Sequence, residues 1–457
     1  MRRLFAALSA LTVAVGILVA VPVASVAQAA SSGYVVVLKD SVADPAIAAA
    51  EQAGRYQARR TALFTHAIKA YAAELTPSQA AAVAADPAVQ FVAPDRRFRL
   101  AAPPTPAPLR CEDVLGGPQC LPDWADRIEL ERSSTRAGDG RGSVNVNMAI
   151  IDTGIAGNHP DLNVKGGADC HTGTLVVPGT SLTDTIPHGT QVAGIAGAKD
   201  NQVGVVGAAP GTPLWSVKVV DPQGGSTLSA VLCAIDWVTS TRQDTNRSND
   251  IAVANMSIEL DFAGDDRCGL TNDDPFHLAI CRSVAAGVTY VGSAGNQAID
   301  FAARIPASYN EVLTVTAMAD FDGKPGGKAA PECGLEQIGV VDDAAATFSN
   351  YAVATRDKLH TIAAPGACME TTLPPELGLY AAAQAGTSIA APAVAGTVAL
   401  CIADGKCRSG QPIRNMLRVL ADTALYNLAH PNYGFQGDPL RPSPGRYYGF
   451  LVTAATY

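Results

Sequence analysis

The sequence predicts an α/β protein, a largely parallel sheet flanked by helices, preceded by a small α+β module. Three observations carry that prediction. Beyond residue 144, short apolar strands alternate with apolar-faced helices, as expected for strands buried on both faces. Before it, residues 34–95 read as a β-α-β-β-α-β pattern. Between the two lies AAPPTPAP (101–108), extended and poor in hydrogen bonds, which reads as a linker.

The 457-residue chain opens with Arg2 and Arg3, an apolar run from Leu4 to Val23, and the small-residue exit Ala27-Gln28-Ala29. That order is a secretory signal peptide, residues 1–29, rather than a retained span. No later segment is long and apolar enough to cross a bilayer. Ten cysteines, all beyond residue 110, agree with export and with disulfides. The pairs 111–120, 268–281 and 401–407 are within local reach, although sequence leaves the connectivity open. No C-x-x-C pair is present, so zinc is not expected. The expected product is a secreted, extracellular monomer without a stable membrane anchor.

In the leading module (30–100), YVVVLKD (34–40), IKAYAAEL (68–75) and VQFVAPD (89–95) read as strands. A helical stretch runs through EQAGRYQARRTALFTHA (51–67), and SQAAAVAAD (78–86) is a second helix. The linker and processing region spans 101–110, and the main domain 111–457. Net charge is −9 overall, with ten Lys/Arg against six Asp/Glu in residues 1–100. A basic module ahead of an acidic body suits docking of one on the other. The acidity argues against nucleic acid as a partner.

In the main domain, VNVNMAIIDTG (144–154), PLWSVKVVD (213–221), IAVANMSIEL (251–260), VTYVGSAGN (288–296), VLTVTAMAD (312–320) and HTIAAPG (360–366) read as strands. HGTQVAGIAGA (188–198), TLSAVLCAIDWVTS (227–240) and FHLAICRSVAAG (276–287) read as helices, and another follows Ser388. Polar residues gather at strand ends, where open α/β sheets place their sites.

Three of those residues carry chemistry together, though each alone has an ordinary role. Asp152 after an apolar strand is a turn former, His188 opens a helix, and Ser388 in AGTSIAAP is a helix cap. Acyl transfer by serine needs a hydroxyl, an imidazole to take its proton and a carboxylate to fix the imidazole. The order Asp, His, Ser is one of the known orders of that triad. Asn296, in GSAGNQ, adds an amide that can donate to an oxyanion together with the Ser388 N–H.

The stretches IIDTGIAGNHPDL, HGTQVAGIAGA, NQVGVVGAAPGTPLWSVKVVD, VANMSIEL, VGSAGN, ATFSNYA, IAAPG and GTSIAAPAVAG arrive in one order. On them the chain resembles the subtilisin-like serine proteases (subtilases, peptidase family S8) along nearly all of its length past the linker. The resemblance implies a serine endopeptidase with Asp152, His188 and Ser388 as triad and Asn296 in the oxyanion hole. It implies an inhibitory propeptide over residues 34 to about 98, acting as intramolecular inhibitor until autoprocessing. Ser257, Ile258 and Glu259, with Ser293, Ala294 and Gly295, match positions that bind protein or peptide substrates. No cofactor is required, while Asp161 and Asn201 match positions that contribute to a calcium site.

Three positions depart from the family pattern. Ile389 stands where methionine is usual, a swap of similar volume. Ala393 replaces a common histidine. Glu259 stands where a slim glycine is usual, and reads either as a solvent-turned side chain or as one that narrows the pocket or favours a basic substrate side chain. Two other functions fit the sequence less well. A silent subtilase-like binding domain would not need all four site residues, and an ester hydrolase would favour G-x-S-x-G in the order Ser, Asp, His.

Overall fold

The computed structural model describes residues 31–99, 119–265 and 267–457. The predicted signal peptide, the proline-rich linker and Cys111 lie outside these residues.

The leading module is β1 (Ser32–Leu38), α1 (Pro45–Arg55), β2 (Arg59–Phe64), β3 (Ala70–Leu75), α2 (Pro77–Ala84) and β4 (Val89–Pro94), followed by β5 (Arg97–Arg99). Local chemistry starts both helices. The Asp44 carboxylate accepts from Ala46 N and Ile47 N with Pro45 in the first turn, and Thr76 and Gln79 form a reciprocal capping box. The helix predicted through residue 67 ends instead at Arg55. Gln57 takes a left-handed backbone (φ 53°), and residues 59–64 run extended to pair antiparallel with β3. The four strands order as β2-β3-β1-β4.

The main domain follows with a short helix α3 (Asp123–Arg127), β6 (Met148–Asp152), β7 (Val164–Asp169), α4 (His188–Gly197), β8 (Leu214–Lys218), β9 (Gly225–Thr227) and α5 (Leu228–Gln243). Then come β10 (Val253–Met256), β11 (Leu260–Asp261), α6 (Pro275–Ala286), β12 (Thr289–Ser293), β13 (Arg304–Ile305), β14 (Val312–Ala319) and β15 (Ala344–Ala345). The domain closes with α7 (Thr355–Lys358), β16 (Thr361–Pro365), a hairpin β17 (Ala367–Thr372) and β18 (Tyr380–Ala385), α8 (Thr387–Ala403) and α9 (Pro412–Ala429). The sheet runs β15-β14-β12-β10-β6-β8-β7 with β16 beside β14, and every pair is parallel except β14 with β15. The strand expected over 251–260 stops at Met256, and Leu260-Asp261 pairs antiparallel with Arg304-Ile305.

Two cores form, one on each face. Helices α4 and α8 share one, and α5 and α6 share the other with Phe64, Ile68 and Phe91 of the leading module. Helix α8 is apolar all round because it lies inside, packed against α4, β12 and β14. The disulfides Cys268–Cys281 and Cys401–Cys407 match the expected local pairs. Cys170–Cys233 and Cys333–Cys368 close longer loops, and Cys120 is disulfide-bonded as well.

Besides the core shared with α5 and α6, carboxylates that collect N–H and O–H groups hold the docked module. Asp236 on α5 accepts from Thr65, His66 and Ala67 backbone N–H at 3.1, 2.7 and 2.7 Å. Asp95 accepts from Ser229 N and Oγ at the start of α5, at 2.9 and 2.7 Å. The charge complementarity read from sequence is not what these contacts use. Among the described residues, the Asp40–Arg282 ion pair (2.7 Å) places the acid on the module and the base on the body. The module's last strand, β5, pairs antiparallel with β9, Phe98 opposite Ser226.

Candidate active site

Parallel register builds the floor of the site. Ile151 pairs with Met256, and Met256 with Gly292, so Asp152, Ser257 and Ser293 leave three adjacent strands side by side. Neighbouring strands stand about 4.8 Å apart, which sets the scale of the cleft.

Asp152 is fully buried at the end of β6. Its Oδ1 accepts from Thr153 N at 2.7 Å and lies 2.8 Å from His188 Nδ1. His188 is the first residue of α4, and Gly189 beside it is required by crowding, since a Cβ there would collide with Gly154 O. Burial alone pushes the His188 imidazole down, but the charge and hydrogen bond of Asp152, with a smaller contribution from Asp184, bring it above its ordinary value. The pairing at Nδ1 holds the ring with Nε2 as the free nitrogen.

Asp184, which sequence reading passed over, is a second buried carboxylate beside this pair. It accepts from Thr153 Oγ1 at 2.8 Å and from Thr190 N and Oγ1 at 2.8 and 2.6 Å. Burial pushes its pKa up to about 6, and the Asp152 charge adds to that rise. Thr153 Oγ1 also accepts from Gly189 N (2.8 Å), so one hydroxyl ties Asp184 to the start of the His188 helix.

Ser388 sits in the first turn of α8, half-buried. It is not the cap it resembles in isolation: Gly386 holds that position without a side-chain hydrogen bond. The backbone anchors Ser388 instead. Pro392 lacks the N–H that would satisfy the Ser388 carbonyl four residues earlier, and Ser257 Oγ donates to that carbonyl at 2.7 Å. Asn255 Nδ2 donates in turn to Ser257 Oγ at 3.0 Å.

Asn296 completes this side. Its Oδ1 accepts from Thr387 N (2.8 Å) and Thr387 Oγ1 (3.0 Å), while Thr387 Oγ1 accepts from Gly295 N (2.9 Å). With the oxygen engaged twice, the Nδ2 end is left to the cleft. Gly386 shows where the groups converge. A Cβ built there would stand 2.8 Å from Ser388 Oγ and 3.6 Å from both Ser388 N and Asn296 Nδ2. Ser388 N belongs to the helix's first turn, whose amides no intrahelical carbonyl reaches. Two donors and a hydroxyl thus surround one small space.

The expected substrate wall follows. Ser257, Ile258, Ser293 and Ala294 are buried where β10 and β12 end. Glu259 is half-buried: its Oε1 accepts from the exposed Gln297 Nε2, and its Oε2 is buried against Gly295.

Asp161 and Asn201, far apart in sequence, do meet: Asn201 Nδ2 lies 3.0 Å from Asp161 Oδ1. Gln119, which no spacing in the sequence could have flagged, joins them, its Nε2 2.6 Å from Lys199 O and 3.2 Å from Val205 O. One buried carboxylate, two side-chain amides and two backbone carbonyls therefore gather where three separate segments meet. Burial pushes Asp161 up to about 7, against hydrogen bonds from Val205 N–H and Asn201 and the charge of Lys199. Turning the two amides presents their oxygens, and this oxygen-rich set fits a calcium ion.

A parallel α/β sheet with a carboxylate–imidazole pair at one strand end, and a serine at a helix start by the next, defines a serine hydrolase. Comparison with known proteins makes the class specific. The subtilase family (peptidase S8) matches residues 143–435, and the peptidase inhibitor I9 family matches residues 33–101. The chain belongs to the subtilase family and is a serine-type endopeptidase with an N-terminal inhibitor-type propeptide. Subtilisin DY of Bacillus licheniformis is 31% identical over 294 residues, 64% of this chain and 88% of that protein. Alkaline elastase YaB of Bacillus sp. (strain YaB) is 29% identical over 346 residues, 76% of this chain and 72% of its own. In fold, the chain is similar to the epidermin leader peptide processing serine protease of Staphylococcus aureus (TM-score 0.61, 17% identity, 93% and 97% of the two chains).

Proposed function

We propose that the protein is a secreted endopeptidase that hydrolyses peptide bonds through Asp152, His188 and Ser388, and that it matures by autoprocessing. His188 Nε2 takes the Ser388 Oγ proton as that oxygen attacks the scissile carbonyl. Asp152 holds the ring and stabilises its charged form. Asn296 Nδ2 and Ser388 N donate to the developing oxyanion, aided by the positive end of the α8 dipole. His188 then protonates the leaving amine, and water, activated by the same imidazole, releases the acyl group. The observation that carries this reading is the small space at Gly386 bounded by Ser388 Oγ, Ser388 N and Asn296 Nδ2.

Export through residues 1–29 is followed by cleavage in the 101–110 region, which separates the propeptide from a domain beginning near residue 111. The β5–β9 pairing supports this, because it lays the end of the propeptide along an edge of the main domain as a substrate backbone would lie. The Gln119, Asp161 and Asn201 site holds a structural calcium, and catalysis needs no cofactor. Incubating the processed enzyme with a fluorophosphonate checks the catalytic assignment: mass spectrometry is expected to place one adduct on Ser388 and casein cleavage to cease. An adduct elsewhere, or none with casein still cleaved, overturns it.

A further inference from the structure

Glu259 is the residue that most departs from its surroundings. It leaves β10 three residues after Met256, in a segment whose neighbours Ile258 and Leu260 are buried and apolar. The side chain crosses to the segment that follows β12 instead of reaching water. Gln297 Nε2 donates to Oε1, and Oε2 occupies the space beside Gly295, where a Cβ would collide with it. Gly295 has φ +101°, a left-handed backbone that favours glycine. Oε2 is buried and accepts no hydrogen bond among the described residues. Burial raises the carboxyl group, with the Gln297 amide and the Arg304 charge working against that rise. Arg304 donates through Nη1 to the Asp261 carboxylate and, at 3.5 Å, to Ala303 O, while its buried Nε has no hydrogen-bond partner among the described residues.

A buried carboxylate oxygen without a donor is costly until one arrives. Its position says from where. By the family resemblance, the segments that leave β10 and β12 wall the first substrate pocket, and Glu259 on the one reaches Gln297 and Gly295 on the other.

Resting on the catalytic reading above, we propose that Glu259 determines specificity in the first substrate pocket and that the enzyme cleaves after lysine or arginine. An entering guanidinium or ammonium donates to Oε2 and neutralises it, while an aromatic side chain would seal the charge away unpaired. Two further observations agree. The body beyond residue 100 carries 36 Asp/Glu against 23 Lys/Arg, a field that draws cationic chains inward. The propeptide strand that pairs with β9 reads Arg97-Phe98-Arg99, so the backbone of a basic segment already lies along that edge.

The experiment uses processed wild type, Glu259→Gln and Glu259→Gly, each normalised by serine-probe titration so that misfolded protein is not counted. The substrates are four fluorogenic peptides that differ only in the residue before the bond: Arg, Lys, Phe or Ala. Wild type is expected to favour Arg and Lys over Phe about 100-fold in kcat/KM, and Glu259→Gln, of equal size, to lower that ratio by about 10- to 100-fold. Glu259→Gly is expected to raise Phe cleavage as the pocket opens. A wild-type preference for Ala or Phe, or an Arg:Phe ratio that Glu259→Gln leaves unchanged, overturns the proposal. If casein is cleaved by wild type and not by Ser388→Ala yet no basic preference exists, only the Glu259 assignment falls. If wild type cleaves neither casein nor any of the peptides, the catalytic reading falls and takes this one with it.

Discussion

The two sides of the cleft are built by opposite means. On one side Asp152, His188 and Asp184 are buried, and Thr153 and Thr190 donate hydrogen bonds to the two carboxylates. On the other, Asn296 is exposed, Ser388 is half-buried and Gly386 leaves room. A proton acceptor benefits from a dry, fixed surrounding that settles tautomer and charge, whereas an oxyanion site must stay open until the substrate fills it. The closed side is stabilised before substrate arrives, and the open side is merely positioned.

Each side can be broken separately, and the sizes should differ. Asp152→Asn leaves the ring in place but reverses the hydrogen bond at Nδ1, and kcat is expected to fall about 10⁴-fold. Asn296→Leu removes one donor from the open side, and the expected loss is about 10²- to 10³-fold in kcat with KM little changed. Steady-state kinetics on one peptide separates these two, and equal losses would erase the distinction between the sides.

The pH profile probes the closed side more gently. His188 acts as a base, so activity rises as pH climbs through its pKa, which Asp152 and Asp184 hold above the ordinary value. Asp184→Asn removes a negative neighbour, so the acidic limb of kcat/KM should move to lower pH while the basic limb stays. A limb that moves upward contradicts the assigned influence of Asp184.

Calcium should matter for stability more than for chemistry. Chelation is expected to lower the melting temperature by a few degrees, about what a ligand at 100 times its Kd contributes in a domain of this size. Gln119→Ala should remove most of that dependence, and a melting curve indifferent to chelator would remove the site. Smallest of all, Ile389→Met conserves volume in a buried position and should alter kcat/KM less than about threefold.

Much of this was legible in the sequence, for reasons that differ by region. Apolar strands such as 312–319 and the capped helix at 275–286 follow from composition and local capping, so the α/β class was readable. Asp152, His188, Asn296 and Ser388 could be proposed as a set because each stands at or near an end of a strand or helix within a distinctive short stretch. Residues 59–64 were misread as helix because Arg, Ala and Leu favour helices, and only pairing with β3 overrides them. Gln119 was invisible, since its role exists only once a distant loop comes near. Glu259 could be singled out as odd from sequence, but whether it faced water or the cleft depended on Gln297 and Gly295. Likewise, Pro392 stands plainly in GTSIAAP, yet its consequence, a carbonyl freed for Ser257, needs the third dimension.

The central claim is that Ser388 acts on this chain's own linker before it acts on anything else. The most direct measurement is to express residues 30–457 as wild type and as Ser388→Ala, then determine the size and N-terminus of each. The expected result is a shortened wild type that begins within or just after residues 101–110 and digests casein, beside a full-length, inactive variant. Identical processing of both, with neither cleaving casein, would contradict it.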